Sequence, residues 1–128
     1  AEVTDSIERA REPFNVTSLA QAAAVAALGD AEHLARTLDE NDRGMKRLIE
    51  AFRSSGVGWT PSHANFVLVD LGGPARPIFE ALLAHGVIVR PGDVLGMPNH
   101  LRISIGSETE VDQFLRAWDV VVPRGVTA

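Results

Sequence analysis

The sequence predicts an α/β (α+β) domain in which helices pack a small mixed β-sheet. Three observations lead there. From Gly86 to Gly106, GVIVRPGDVLGMPNHLRISIG, the residues Val87, Val89, Leu101, Ile103 and Ile105 alternate with Ile88, Arg90, Arg102 and Ser104. That is the period-2 pattern of two half-buried strands around a loop broken by Pro and Gly. Phe66 to Leu71, FVLVDL, is nearly continuous aliphatic, the pattern of a central strand covered on both faces. Apolar residues at steps of three and four mark two further stretches as amphipathic helices.

In chain order, Thr4 to Arg11 predicts a short charged helix, stopped by Pro13 because the residue before a proline is pushed out of the helical region. Pro13 to Thr17 then reads as an extended connector. Ser18 with Gln21 forms a capping-box pattern that starts an alanine-rich helix from Leu19 to Leu28, apolar all round and therefore expected to be buried. Gly29 ends it. Asp30 caps a long helix whose stripe is Ala31, Leu34, Ala35, Leu38, Met45, Leu48, Ile49 and Phe52. Its wet face carries Arg36, Asp39, Glu40, Asp42, Arg43, Lys46, Arg47 and Glu50. Gly44 inside it costs about 1 kcal/mol relative to Ala. Ser54-Ser55-Gly56 closes the helix, and Trp59 begins a short edge strand that Pro61 interrupts.

After FVLVDL, Gly72-Gly73-Pro74 turns into a helix with core residues Ile78, Phe79, Leu82 and Leu83, ended by Gly86. The two strands of the alternating block follow. Ser107 and Glu110 make a second capping box, and Val111, Phe114, Leu115 and Trp118 continue as an amphipathic helix. The tail from Pro123 reads as frayed.

At 128 residues a single domain, residues 1–128, is expected, with enough chain to bury a real core. A net charge of -5 argues against nucleic acid or an anionic membrane as the main partner. No Cys is present, which excludes disulfides, thiolate catalysis and Cys-ligated zinc. No stretch approaches the ~18 apolar residues of a membrane span, so a cytoplasmic setting is expected. Position 1 is Ala and not Met, which points to a chain that begins inside a longer polypeptide, N-terminal processing being the other reading.

Arg90 and Arg102 are the candidate site residues. With the aliphatic set facing a core, both project from the opposite face, where rigid, permanently charged forks suit carboxylate or phosphate. The plain alternative is an exposed sheet-face arginine and a turn-flanking surface charge. His33, His63, His85 and His100 lack ligand spacing, so no metal site is expected. Asp70, at a strand end, reads first as a cap. Lys46, the one lysine, falls on a wet helix face, where nothing desolvates an amine for Schiff-base chemistry. Trp59 and Trp118 read as core or interface residues. Neither a glycine-rich phosphate loop nor a nucleophile elbow is present.

Four blocks go further: REPFNVTSLAQAAAVAAL (11–28), ANFVLVD (64–70), GVIVRPGDVLGMPNHLRISIG and SETEVDQFL (107–115). In this order and spacing they resemble the C-terminal part of the histidinol-phosphate aminotransferases, a branch of the fold-type I, pyridoxal-phosphate-dependent class I/II aminotransferases. The resemblance covers essentially the whole chain and implies the C-terminal small domain, roughly the last third of such an enzyme, with residues 1–17 as the connector from a missing large domain. It implies that Arg102, in the L-R-I-S strand, binds the substrate α-carboxylate, and that Arg90, in V-I-V-R, contacts the substrate phosphate.

The implied reaction moves an amino group between histidinol phosphate and 2-oxoglutarate, with pyridoxal 5′-phosphate as cofactor and a homodimer as the intact assembly. The family's Schiff-base lysine and cofactor-cradling residues belong to the large domain, and Lys46 does not match the lysine motif. This chain alone is therefore expected to be inactive, with no catalytic or cofactor-binding residue and no bound cofactor. Another class I/II aminotransferase or a threonine-phosphate decarboxylase relative is the near alternative. A non-catalytic anion- or partner-binding module is the alternative from a different class.

Overall fold

The computed structural model describes residues 2–11 and 14–122. Pro13, expected to stop the first helix, and the tail from Pro123 lie outside the described residues. The chain divides into two compact units, Ala1–Ala35 and Arg36–Ala128.

The first unit is helical. α1 (Glu2–Ala10) is the short charged helix. α2 (Ser18–Leu28) starts one residue earlier than its sequence pattern suggests. Thr17, not Ser18, is its cap, accepting the Ala20 amide at 3.2 Å. Gln21, instead of reaching the cap amide, donates to the Val16 carbonyl. The helix is exposed throughout, Leu19 at 80 % and Leu28 at 89 %, which corrects the expectation of burial. Small apolar side chains on every face predict cover, and nothing within the described residues of this unit supplies it. Asp30 caps α3 (Ala31–Ser55) by accepting the His33 amide at 2.8 Å, as its position predicts. The unit boundary falls within α3.

In the second unit, the stripe of α3 becomes a core: Met45, Leu48 and Phe52 are buried. Leu34 and Leu38, from the same stripe, are exposed. β1 (Gly58–Thr60), β2 (Phe66–Asp70), α4 (Ala75–Ala84), β3 (Arg90–Pro91), β4 (His100–Ser104) and α5 (Glu108–Val121) follow. The sheet order is β1-β2-β4-β3, and every neighbouring pair is antiparallel. This corrects the mixed sheet. β2 and β3 do run the same way, joined through α4, but β4 is inserted between them and pairs antiparallel with both. Of the two strands expected around the Pro/Gly loop, the first is only two residues long.

One face of the sheet is covered. Val67, Val69, Leu101 and Ile103 pack in one cluster with Phe52, Phe114 and Trp118. The three rings meet with centroids 5.1 to 6.3 Å apart. Trp118, fully buried, donates its indole N–H to the Ser55 hydroxyl at 3.0 Å, so its one polar atom is satisfied inside the core. The other face is open: Phe66 and Asp70 are exposed and Leu68 only half-buried, so β2 is not covered on both faces as its aliphatic run suggested.

Gly44 has a packing reason. A Cβ there would meet Ile105 Cγ2 at 2.6 Å and Val111 Cγ2 at 3.4 Å. Gly44→Ala is expected to destabilise the fold by about 1 kcal/mol, since overpacking of about 1–3 kcal/mol outweighs the helix-propensity gain of about 1 kcal/mol. A lower urea midpoint at unchanged slope would record it.

Candidate anion-binding site

β4 forms the centre of the site. Its residues alternate between the covered face, Leu101 and Ile103, and the open face, His100, Arg102 and Ser104. Arg90 is the direct cross-strand partner of Arg102. Directly opposed residues share a face of a sheet, so the structure brings the two predicted arginines together and keeps both out of the aliphatic layer. Arg90 is exposed and Arg102 half-buried. Both are among the residues lining a cleft of about 810 Å³, which also takes in Leu48, Val111 and Phe114 from the covered face.

The cleft lining carries Arg90, Arg102 and the carboxylate of Glu110, which is held by the Ser107 amide and hydroxyl. Among the described residues the ion pairs occupy other cations, including Arg11 with Glu8, Arg43 with Asp39, Lys46 with Asp42, Arg47 with Asp112, Arg53 with Glu50 and Arg76 with Asp93. Neither Arg90 nor Arg102 takes part in one. Like charges directly opposite destabilise a sheet. A bound anion reverses that term, because its oxygens accept from both forks.

The turn after β3 is braced. The Gly92 amide donates to the His100 carbonyl at 2.9 Å, and a Cβ on Gly92 would meet the Met97 carbonyl oxygen at 2.5 Å. Arg76 of α4 donates through Nε (3.1 Å) and Nη2 to the Asp93 carboxylate. This hydrogen-bonded ion pair with Arg76, helped by the Val94 amide, holds the Asp93 carboxyl below its ordinary value of 3.8. A carboxyl lowered on folding contributes stability above its unfolded value and loses it as pH falls through the folded one. The brace is therefore complete at neutral pH and is expected to release below about pH 4. A lower protection factor for the Val94 amide in acid, taken relative to its intrinsic exchange rate at each pH, would report the release, and Asp93→Asn should abolish the dependence.

The other candidates take their plain readings. Asp70 accepts the Gly72 amide at 2.9 Å, a strand-end turn, and stands 3.9 Å from His100 Nε2. No cluster of His, Asp or Glu among the described residues could hold a metal. No helix there is long and apolar enough to cross a membrane. Ser107 and Glu110 form the predicted capping box, whose hydroxyl and amide hydrogen bonds lower the Glu110 carboxyl. Sequence reasoning missed Phe66, whose ring lies 5.3 Å from Arg102 Cζ, and the Arg76–Asp93 brace. The signal for Phe66 was parity: residues 66, 68 and 70 share a face opposite that of 67 and 69.

The sequence profile of the family "Aminotransferase class I and II" matches residues 1–117. The chain belongs to the class I and II aminotransferases. It is 52% identical over 123 residues to histidinol-phosphate aminotransferase 2 of Pseudomonas fluorescens, a match covering 96% of this chain and 33% of that protein. Among solved structures it is similar to histidinol-phosphate aminotransferase from Sinorhizobium meliloti in complex with pyridoxal-5′-phosphate. There the TM-score is 0.78 at 30% identity, covering 91% of this chain and 33% of that one. The corresponding enzyme from Clostridium acetobutylicum gives a TM-score of 0.74 at 27% identity, with 94% and 37% covered. The chain thus spans about a third of the length of the relatives it matches.

Class I and II aminotransferases use pyridoxal 5′-phosphate. The residues of this segment do not fit its covalent attachment. Lys46, the only lysine, is 74% exposed and ion-paired with Asp42 on α3, out in solvent and not enclosed as a Schiff-base lysine must be. What this aminotransferase segment does present is the opposed pair Arg90 and Arg102.

Proposed function

We propose that this chain is the substrate-gripping small domain of a histidinol-phosphate aminotransferase. Residues 1–17 connect it to a large domain that corresponds to the remaining two thirds of the relatives' length. The complete enzyme then moves an amino group between histidinol phosphate and 2-oxoglutarate, as a homodimer in the cytoplasm. The large domain holds the cofactor, and this segment alone is inactive and holds none. Its partners are amino-acid and 2-oxo-acid substrates, not nucleic acid or membrane.

The observation that carries this reading is the direct opposition of Arg90 and Arg102, two cations that no carboxylate neutralises among the described residues. Arg102, half-buried, receives a carboxylate through two parallel N–H···O bonds, a geometry that fixes orientation as well as position. Arg90, more exposed and next to it, receives the phosphate. One amino donor brings phosphate and the acceptor brings carboxylates, so adjacent forks on one face serve both half-reactions. Binding energy gathered at these anions orients the reacting carbon, which is where positioning contributes to rate.

The intact mass of the source protein is the first test: about three times the mass of this chain is expected. Calorimetric titration of the 128-residue chain with a phosphorylated amino acid is the second, and weak or no binding is expected. The cleft, carrying both arginines within one chain, favours one other reading, a self-sufficient anion-binding module. Tight stoichiometric binding by the isolated chain would select that reading instead.

A further inference from the structure

We infer that Phe66 is a positioning residue for Arg102, holding the guanidinium by its ring face so that the outer fork stays free for the substrate carboxylate. The inference rests on reading Arg102 as the carboxylate anchor.

The placement follows from register. Phe66 pairs with Ser104 and Leu68 pairs with Arg102, so Phe66 and Arg102 are diagonal neighbours on the open face of the sheet. Diagonal neighbours are within reach when one side chain is aromatic and the other long. Arg102 Cζ lies 5.3 Å from the centroid of the Phe66 ring, inside cation–π range. Phe66 is 37% exposed, a large ring kept on the face that alternation ordinarily gives to polar residues.

Two further observations say what the ring does. Nε of Arg102 is buried and has no hydrogen-bond partner, so the inner edge of the guanidinium is closed in and the outer nitrogens remain for a ligand. Among the described residues the cross-strand partners of Arg102 are Leu68 and Arg90, and Arg90 repels it. A carboxylate could hold Arg102 against that repulsion, but it would occupy the donors the substrate needs. An aromatic face attracts the cation without accepting its N–H groups. Phe66 therefore restricts the arginine and leaves it hungry for an anion, which reduces the ordering cost of binding.

The test is kinetic and uses the intact holoenzyme. Phe66→Leu is expected to raise KM for the 2-oxo acid about 3- to 30-fold, the range of a partly desolvated cation–π contact, with kcat within about twofold. Phe66→Tyr keeps the ring face and should stay near wild type. In an Arg102→Ala background, Phe66→Leu should add nothing to KM.

A full Phe66→Leu effect in the Arg102→Ala background overturns the inference. So does an unchanged KM for Phe66→Leu where Arg102→Ala alone is severely impaired. Loss of no activity in Arg102→Ala overturns instead the anchor reading on which the inference rests. Should the leucine variant fail to fold, stepwise fluorination of the ring at position 66 keeps its shape while draining its face of negative charge. KM climbing with fluorine count supports the inference, and a flat series ends it.

Discussion

Arg102→Ala, made in the intact enzyme, is expected to lower kcat/KM for the 2-oxo acid by about 30- to 5000-fold. That is the equivalent of about 2–5 kcal/mol for truncating one member of a hydrogen-bonded, desolvated charge pair. The loss is large because Arg102 is half-buried, with its Nε enclosed. Truncation leaves the incoming carboxylate with Arg90 alone. Arg102→Lys should recover little, since a point charge on a flexible stem cannot reproduce the planar fork. Stability should hold or rise slightly, because Arg102 has no ion pair among the described residues to lose and its removal relieves the opposed charge of Arg90. Steady-state kinetics and a thermal melt measure both halves of this expectation. Near-wild-type kinetics would remove Arg102 as the carboxylate anchor.

Arg90→Ala should discriminate between substrates. A charge-assisted hydrogen bond to phosphate contributes about 1.5–3 kcal/mol, so kcat/KM for the phosphorylated donor should fall about 10- to 150-fold. An unphosphorylated analogue should lose little, since it presents nothing for Arg90 to hold. Equal losses for the two donors would remove the phosphate role of Arg90 and favour a class I/II aminotransferase acting on an unphosphorylated amino acid. Arg90 occupies a two-residue strand whose following turn is braced by Arg76 and Asp93, so its truncation should disturb the fold little.

Much of the site was legible because sheet parity survives in the sequence. Leu101 and Ile103 on one side and Arg102 on the other follow from alternation alone, and so does the shared face of Arg90 and Arg102. Strand direction does not. Period-2 alternation is the same in parallel and antiparallel strands, so nothing in residues 86–106 announced that β4 would enter between β2 and β3. The aliphatic run of β2 overstated its burial for a different reason. Phe66 and Leu68 share the open face with Arg102, and hydrophobicity alone does not distinguish a core residue from an apolar neighbour of an exposed-face arginine. The bare faces of α2 and of the first turns of α3 reflect a similar limit: composition says that a helix wants cover and is silent on what provides it. Gly44 looked like a propensity cost, and only the proximity of Ile105 gives it a purpose.

The insertion of β4 between two strands that precede it has a consequence for how the molecule is born. Until residue 104 has been synthesised, β3 has no neighbour to pair with and β2 has only β1. Order therefore arrives late and from the carboxyl side, through contacts distant in sequence, the slow kind to close. The peptide that completes this architecture also brings Arg102, so nascent chains cannot finish the sheet while still missing that arginine.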